Sequence, residues 1–303
     1  MENTIFFGNG INRLDPANIS WDELLREIKG INDFQNGDLP NTMIYERIIL
    51  DRPLTSIDVL SEEYSIKVKI SELMKITNTN EYYKDLYNLN AQNFITTNYD
   101  YAFVHSILEI PEVNTPLHEY SSEDIYSLRR LKRISNLRES KKHFWQIHGE
   151  IRKPATIMLG LDHYCGEIGK IDLYTKGGYR YKDKVDVTEV SIIDKLINQT
   201  FTDSSWIELF FTSAIHILGF SLDYSEIDLW WIINKRARMK KGEYGHLINN
   251  EIIYYCDNTI SEYQKGVLES MDIKVVITKL IDSDKKYFVY YDDVIKKIKS
   301  SIG

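Results

Sequence analysis

Short apolar runs alternate with amphipathic stretches along most of the chain. Thr4–Phe7, Asn93–Ile95, Phe144–Ile147, Ala155–Gly160, Ala214–Leu218, Ile252–Cys256 and Ile273–Ile277 have strand length and near-continuous apolarity. Such runs predict strands buried on both faces. Between them the spacing predicts helices. Ser20 precedes Trp21–Ile28 with Glu23 three positions on, a capping-box pattern, and that helix is expected to end near Gly30. Residues 41–84 have helical spacing interrupted at Pro53. Further helices are predicted over 101–110, 122–134, 206–211, 223–238, 261–271 and 292–302. Residues 161–205 read as a helical excursion with loops rather than sheet.

Strands that alternate with helices predict a mostly parallel sheet covered on both faces, an α/β, Rossmann-like architecture. One domain spanning 1–303 is expected. Its core is drawn from about 1–30, 90–110, 143–160 and 206–303. A smaller, mainly helical set of insertions covers about 40–90, 111–142 and 161–205. In open α/β sheets ligands bind at the carboxyl ends of the strands. Here those ends carry Gly8–Asn12, Thr97–Asp100, His148 and Gly219–Asp223.

Bulk properties narrow the partners. The 303 residues carry a formal net charge of −8, which argues against broad nucleic-acid contact. Basic groups at Arg129–Arg133 and Lys235–Lys241 read as solvated helix faces or partner contacts rather than a nucleic-acid groove. No apolar run approaches the roughly 18 residues of a membrane span. The first residues lack the basic start of a secretory signal. Two cysteines, Cys165 and Cys256, can build neither a disulfide framework nor a four-cysteine zinc site. A reducing, cytoplasmic setting is expected, with no metal and no membrane or nucleic-acid partner.

The polar residues at the strand ends suit one kind of chemistry. Gly8 and Gly10 bracket a turn in which backbone can approach a ligand, with Asn9, Asn12 and Arg13 beside it. Asn98 offers both donor and acceptor, and His148 titrates near neutral pH. Each has a bland alternative: Asn98 as the cap of the following helix, His148 as a structural histidine, the glycine turn as mere geometry.

Together these segments resemble sirtuins. Gly8-Asn9-Gly10-Ile11-Asn12 is similar to their Gly-Ala-Gly-Ile-Ser loop, and Thr96-Thr97-Asn98-Tyr99-Asp100 to their Thr-Gln-Asn-Ile-Asp strand end. His148-Gly149 matches their catalytic His-Gly, and Gly219-Phe220-Ser221 resembles their Gly-x-Ser turn. The Thr-Thr-Asn-Tyr-Asp form is closer to the sirtuin-like NAD hydrolases of bacterial anti-phage defence. The four-cysteine zinc ribbon and the Pro-Asp-Phe-Arg element of deacylases have no counterpart, and the stretch from Asn98 to His148 is longer. The resemblance implies NAD as substrate, cleaved to nicotinamide and ADP-ribose. It implies a catalytic set of Asn98, His148 and Asp100, with Asp100 on the nicotinamide carboxamide. Gly8, Asn9, Gly10, Asn12, Arg13 and Thr97 would hold the dinucleotide from one side, and Gly219, Ser221 and Asp223 from the other. It further implies activation through a homo-oligomer or a partner protein such as an ATPase. The competing expectations are a non-catalytic NAD or ADP-ribose module and an ADP-ribosyl or acyl transferase.

Overall fold

The computed structural model describes all residues except 31–33, 52–57, 76–77, 109–116, 120–122, 124, 135–141 and 183–185. Ten strands are described: β1 (Asn3–Phe7), β2 (Asn93–Thr96), β3 (Leu117–Glu119), β4 (Leu131–Ile134), β5 (His143–Gln146), β6 (Arg180–Lys182), β7 (Asp186–Thr188), β8 (Ala214–Leu218), β9 (Ile252–Asp257) and β10 (Ile273–Thr278). Eight form one sheet in the order β10-β9-β8-β1-β2-β5-β4-β3. The six from β10 to β5 are parallel, and β4 and β3 add an antiparallel edge. Strand β1 lies at the centre, paired with β2 on one side and β8 on the other.

The apolar runs explain the layering. Successive strand residues point to opposite faces. Ile5 and Phe7 enter one core with Phe94, Phe144 and Tyr255, while Phe6 enters a second with Ile95, Trp145 and Tyr254. Helices α1 (Trp21–Lys29), α2 (Asn41–Leu50), α3 (Val59–Leu73), α4 (Glu81–Tyr87), α5 (Ala102–Leu108) and α11 (Lys286–Ile302) contribute to the first core. Helices α6 (Leu161–Lys176), α7 (Ile192–Asn198), α8 (Trp206–Thr212), α9 (Ile227–Lys240) and α10 (Glu262–Ser270) contribute to the second. The result is an α/β sheet with helices on both faces. Helix α1 begins with the expected capping box: Ser20 Oγ accepts from the Glu23 N–H, and the Glu23 carboxylate accepts from the Ser20 N–H.

Several expectations are corrected. Within 122–134 the described residues hold turns and then strand β4, not a helix, and Ser122 and the break at Pro53 lie outside the described residues. The basic residues of this segment are not a solvated helix face. Arg130 and Lys132 are buried, and Lys132 pairs with Glu150 and Gln146 beneath the sheet. In the second basic group, Arg236 is likewise buried, donating to Asn250 and Asp272. The run 155–160 is no strand. Pro154–Thr156 make a 3-10 turn, after which the chain runs extended into α6. Residues 161–205 do contain sheet, the hairpin β6–β7. Helix α11 starts six residues before the expected position, and α9 four residues after.

Candidate active site

The connections from β1 and β8 leave in opposite directions, to β2 and to β9. A crevice opens at the carboxyl ends of adjacent strands where the winding reverses. Gly8 follows β1 and Gly219 follows β8, and the two loops are laced together. The Gly8 N–H donates to the Leu218 carbonyl at 3.1 Å, and the Gly10 N–H to the Gly219 carbonyl at 2.8 Å. The Gly10 N–H is therefore spent on the neighbouring loop rather than offered to a ligand.

Above these loops lies a cleft of about 400 Å³, within the range of small-molecule sites. Asn9, Gly10, Arg13 and Thr97 line it from one side, and Gly219, Ser221 and Glu226 from another. Tyr254, Tyr255, Tyr287, Tyr290 and Tyr291 form an aromatic wall from β9 and α11. Asn98 lines a second, small pocket of about 10 Å³ that shares Asn9, Trp21 and Thr97 with the cleft. That is room for roughly one water. The Asn98 side-chain nitrogen is buried near the Tyr83 hydroxyl, without a well-directed hydrogen bond. A buried donor left in this way is uncommon in native proteins and makes this a candidate position for a water or a ligand.

Asn98 does not cap the following helix; Asp100 does. Asp100 Oδ1 accepts from the Ala102 N–H at 2.8 Å, and Oδ2 accepts from Asn12 Nδ2 at 3.0 Å. Asn12 also donates to Asn9 and accepts from the Tyr83 hydroxyl. Buried Asn12 and Asp100 thus tie the glycine loop to the end of β2. Neither lines the cleft. Asp223 is exposed and does not line it either; its carboxylate accepts from the Ser225 N–H and hydroxyl, shaping the turn into α9.

His148 is 2% exposed and sits behind the cleft wall. Its Nε2 lies 2.9 Å from Asp228 Oδ2, and its Nδ1 lies 4.0 Å from Glu226 Oε2. The Tyr164 ring meets it edge-on. Burial by itself would lower the imidazole pKa, but Asp228, Glu226 and Glu167 outweigh it and raise the group to about 9. Burial, with Asp228 nearby, pushes Glu167 up to about 8; burial also lifts Glu226 to about 8, against the pull of His148. The sequence reading missed Glu226, Asp228 and Glu167. Acidic residues at the start of α9 had a sufficient explanation in the helix dipole. Their spacing after the Gly219–Ser221 turn was the available signal. Among the described residues no group of three or more His, Cys, Asp or Glu side chains is arranged to hold a metal ion, and no helix is long and apolar enough to cross a membrane.

The fold is that of a doubly wound α/β protein with a crevice at its switch point. A family model described as a SIR2-like domain matches residues 92–275, more than half of the chain, and the chain belongs to this family. The match runs from the start of the β2 region into β10; β1 with its glycine loop and α11 lie outside it. No curated protein sequence matches the chain. SIR2-like domains bind NAD, and members of the family are NAD-dependent enzymes.

Proposed function

We propose that the chain is an NAD glycohydrolase that releases nicotinamide and leaves ADP-ribose. One observation carries the hydrolytic reading beyond family membership. The Asn98 amide, whose nitrogen has no well-directed hydrogen bond, borders a pocket of one water's size, contiguous with a cleft large enough for a nucleotide. Asn9, Ser20 and Thr97 share that lining with Asn98. Breaking the nicotinamide–ribose bond builds positive charge on the sugar and discharges it from the leaving ring. The reaction needs an oriented water, a proton acceptor and no redox partner. Asn98 orients the water, and the group of His148, Glu226 and Asp228 at the acidic end of the cleft takes its proton. The motif resemblance supports a cellular role as an NAD-depleting effector of anti-phage defence, kept silent until self-assembly or a partner such as an ATPase releases it.

The test is direct. The purified chain, with and without candidate activators, is incubated with NAD and the products are separated by chromatography. Nicotinamide and ADP-ribose are expected in equal amounts. Asn98→Ala should abolish release while leaving the melting temperature within a degree or two, because the lost amide nitrogen has no well-directed hydrogen bond in the fold beyond its approach to the Tyr83 hydroxyl. Binding without release would favour a non-catalytic module, and transfer of label to protein a transferase.

A further inference from the structure

The carboxamide of Asn98 can present either of two ends to the pocket it lines: the oxygen, which accepts, or the nitrogen, which donates. Its backbone does not decide between them. The Asn98 N–H donates to Thr96 Oγ1 at 3.1 Å, and its carbonyl accepts from Gln146 Nε2 at 3.4 Å. Those bonds hold the chain after β2 and leave the side-chain torsion open.

A row of polar groups tied to the glycine loop makes the choice. It begins at the Asp100 carboxylate, which only accepts. Asp100 Oδ2 accepts from Asn12 Nδ2 at 3.0 Å, and Asn9 Oδ1 accepts from the same nitrogen at 2.8 Å. The Asn12 amide is thereby oriented, and its Oδ1 accepts from the Tyr83 hydroxyl at 2.7 Å. Burial, then Asp100, push the Tyr83 pKa well above its ordinary value, so the proton stays on the phenol. With that proton committed to Asn12, the hydroxyl can only accept from its other neighbour. Asn98 accordingly turns its buried Nδ2 toward Tyr83. A planar amide that points its nitrogen one way points its oxygen the other. Tyr83 comes from α4 and is fully buried, its ring centroid 5.3 Å from that of Phe7 and 5.6 Å from that of Phe103. Helix α4 lies outside the residues that the family model matches.

We propose that Tyr83 is a positioning residue that sets the direction of the Asn98 carboxamide, so that Oδ1 rather than Nδ2 faces the attacking water. The proposal rests on the NAD-hydrolysis reading. An oxygen in that place accepts a hydrogen bond from the water and leaves the water's lone pairs for the ribose carbon. A nitrogen there would donate to a lone pair and withhold it from bond formation. The direction of one phenolic proton, set from a buried carboxylate, decides whether Asn98 helps the attack or hinders it.

The test is Tyr83→Phe, which keeps the ring and removes the hydroxyl. Three readouts are compared on the full chain: nicotinamide release from NAD, ADP-ribose affinity by calorimetry, and the Asn98 side-chain amide signals in nitrogen–proton NMR spectra. The signals are assigned by their disappearance in Asn98→Ala. In Tyr83→Phe, kcat should fall about 10-fold, the scale of one hydrogen bond, with Kd for ADP-ribose within about twofold. The Asn98 amide signals should move. A lowered melting temperature or weakened affinity at unchanged kcat overturns the assignment, because a merely structural tyrosine gives that result. Unmoved amide signals overturn it as well. A wild type that binds ADP-ribose but releases no nicotinamide overturns the hydrolase reading and with it the water's part, while the amide signals still decide whether Tyr83 holds Asn98.

Discussion

A methyl group at Gly10 would sit 2.5 Å from the Tyr291 hydroxyl and 2.8 Å from the Gly219 carbonyl oxygen. The tyrosine can shift, but the carbonyl belongs to the backbone that the Gly10 N–H already holds. Gly219 itself has φ +62°, where a side chain is strained. Gly10→Ala should therefore cost about 1–3 kcal/mol, read by urea unfolding, and raise KM for NAD by spreading the two loops. Arg13, exposed at the cleft rim, should tolerate Ala with no loss of stability. His148→Ala is a poorer probe of chemistry than Asn98→Ala. It leaves Asp228, fully buried, without its cation, at a cost of about 3–5 kcal/mol. A protein variant that melts early cannot report on catalysis.

Strands β1, β2, β8 and β9 were legible in the sequence because both of their faces are buried, which writes a continuous apolar run. Strand β4 was not. It lies toward the antiparallel edge, and its Lys132 turns inward to Glu150 and Tyr101. Basic residues on such a strand imitate the last turn of a helix. Arg130 adds a second cation 3.8 Å from Glu150. Glu150 follows His148-Gly149, so this network braces the turn that carries the histidine. Burial opposes ionisation of Glu150, yet Lys132, Tyr101 and Arg130 hold its pKa below the ordinary value. Lys132→Met should destabilise the fold by about 3–5 kcal/mol, by leaving a buried carboxylate short of charge. Lys132→Met paired with Glu150→Leu should recover much of the loss, and the double-mutant cycle measures how much. The candidate site was legible as strand ends in Gly, Asn and His. Its acidic wall was not, because Glu226 and Asp228 also satisfy the rule for a helix start.

Titration couples the site to the stability of the entire chain. His148 is raised from 6.5 to about 9, and Glu167 and Glu226 from 4.5 to about 8. Each holds its proton in the folded state over a window where the unfolded chain has released it. For His148 the stabilisation is full below pH 6.5 and is lost as pH rises through about 9. For the two carboxyls the folded state is penalised increasingly from pH 4.5 up to about 8. All three act in one direction between pH 6.5 and 8. Glu63 works oppositely: hydrogen bonding from His163 lowers it to about 2, so its contribution is present above pH 4.5 and is lost on acidification. Burial lowers His216 to about 4, so it favours folding as pH rises from 4 to 6.5 and is neutral beyond. The melting temperature should therefore fall from pH 6.5 to 8, and Glu167→Gln should flatten the slope. A flat or rising profile would contradict the buried cluster as described.

Tyr287, Tyr290 and Tyr291 reach the cleft from α11, whereas the central strand β1 comes from the first residues of the chain. Segments far apart in the sequence therefore complete one cleft. Without α11 all six parallel strands are present and Tyr254 and Tyr255 still line the cleft, but Tyr287, Tyr290 and Tyr291 are missing from its wall. Ending the chain after Lys285 should leave a protein that no longer binds NAD, even where its sheet survives by circular dichroism.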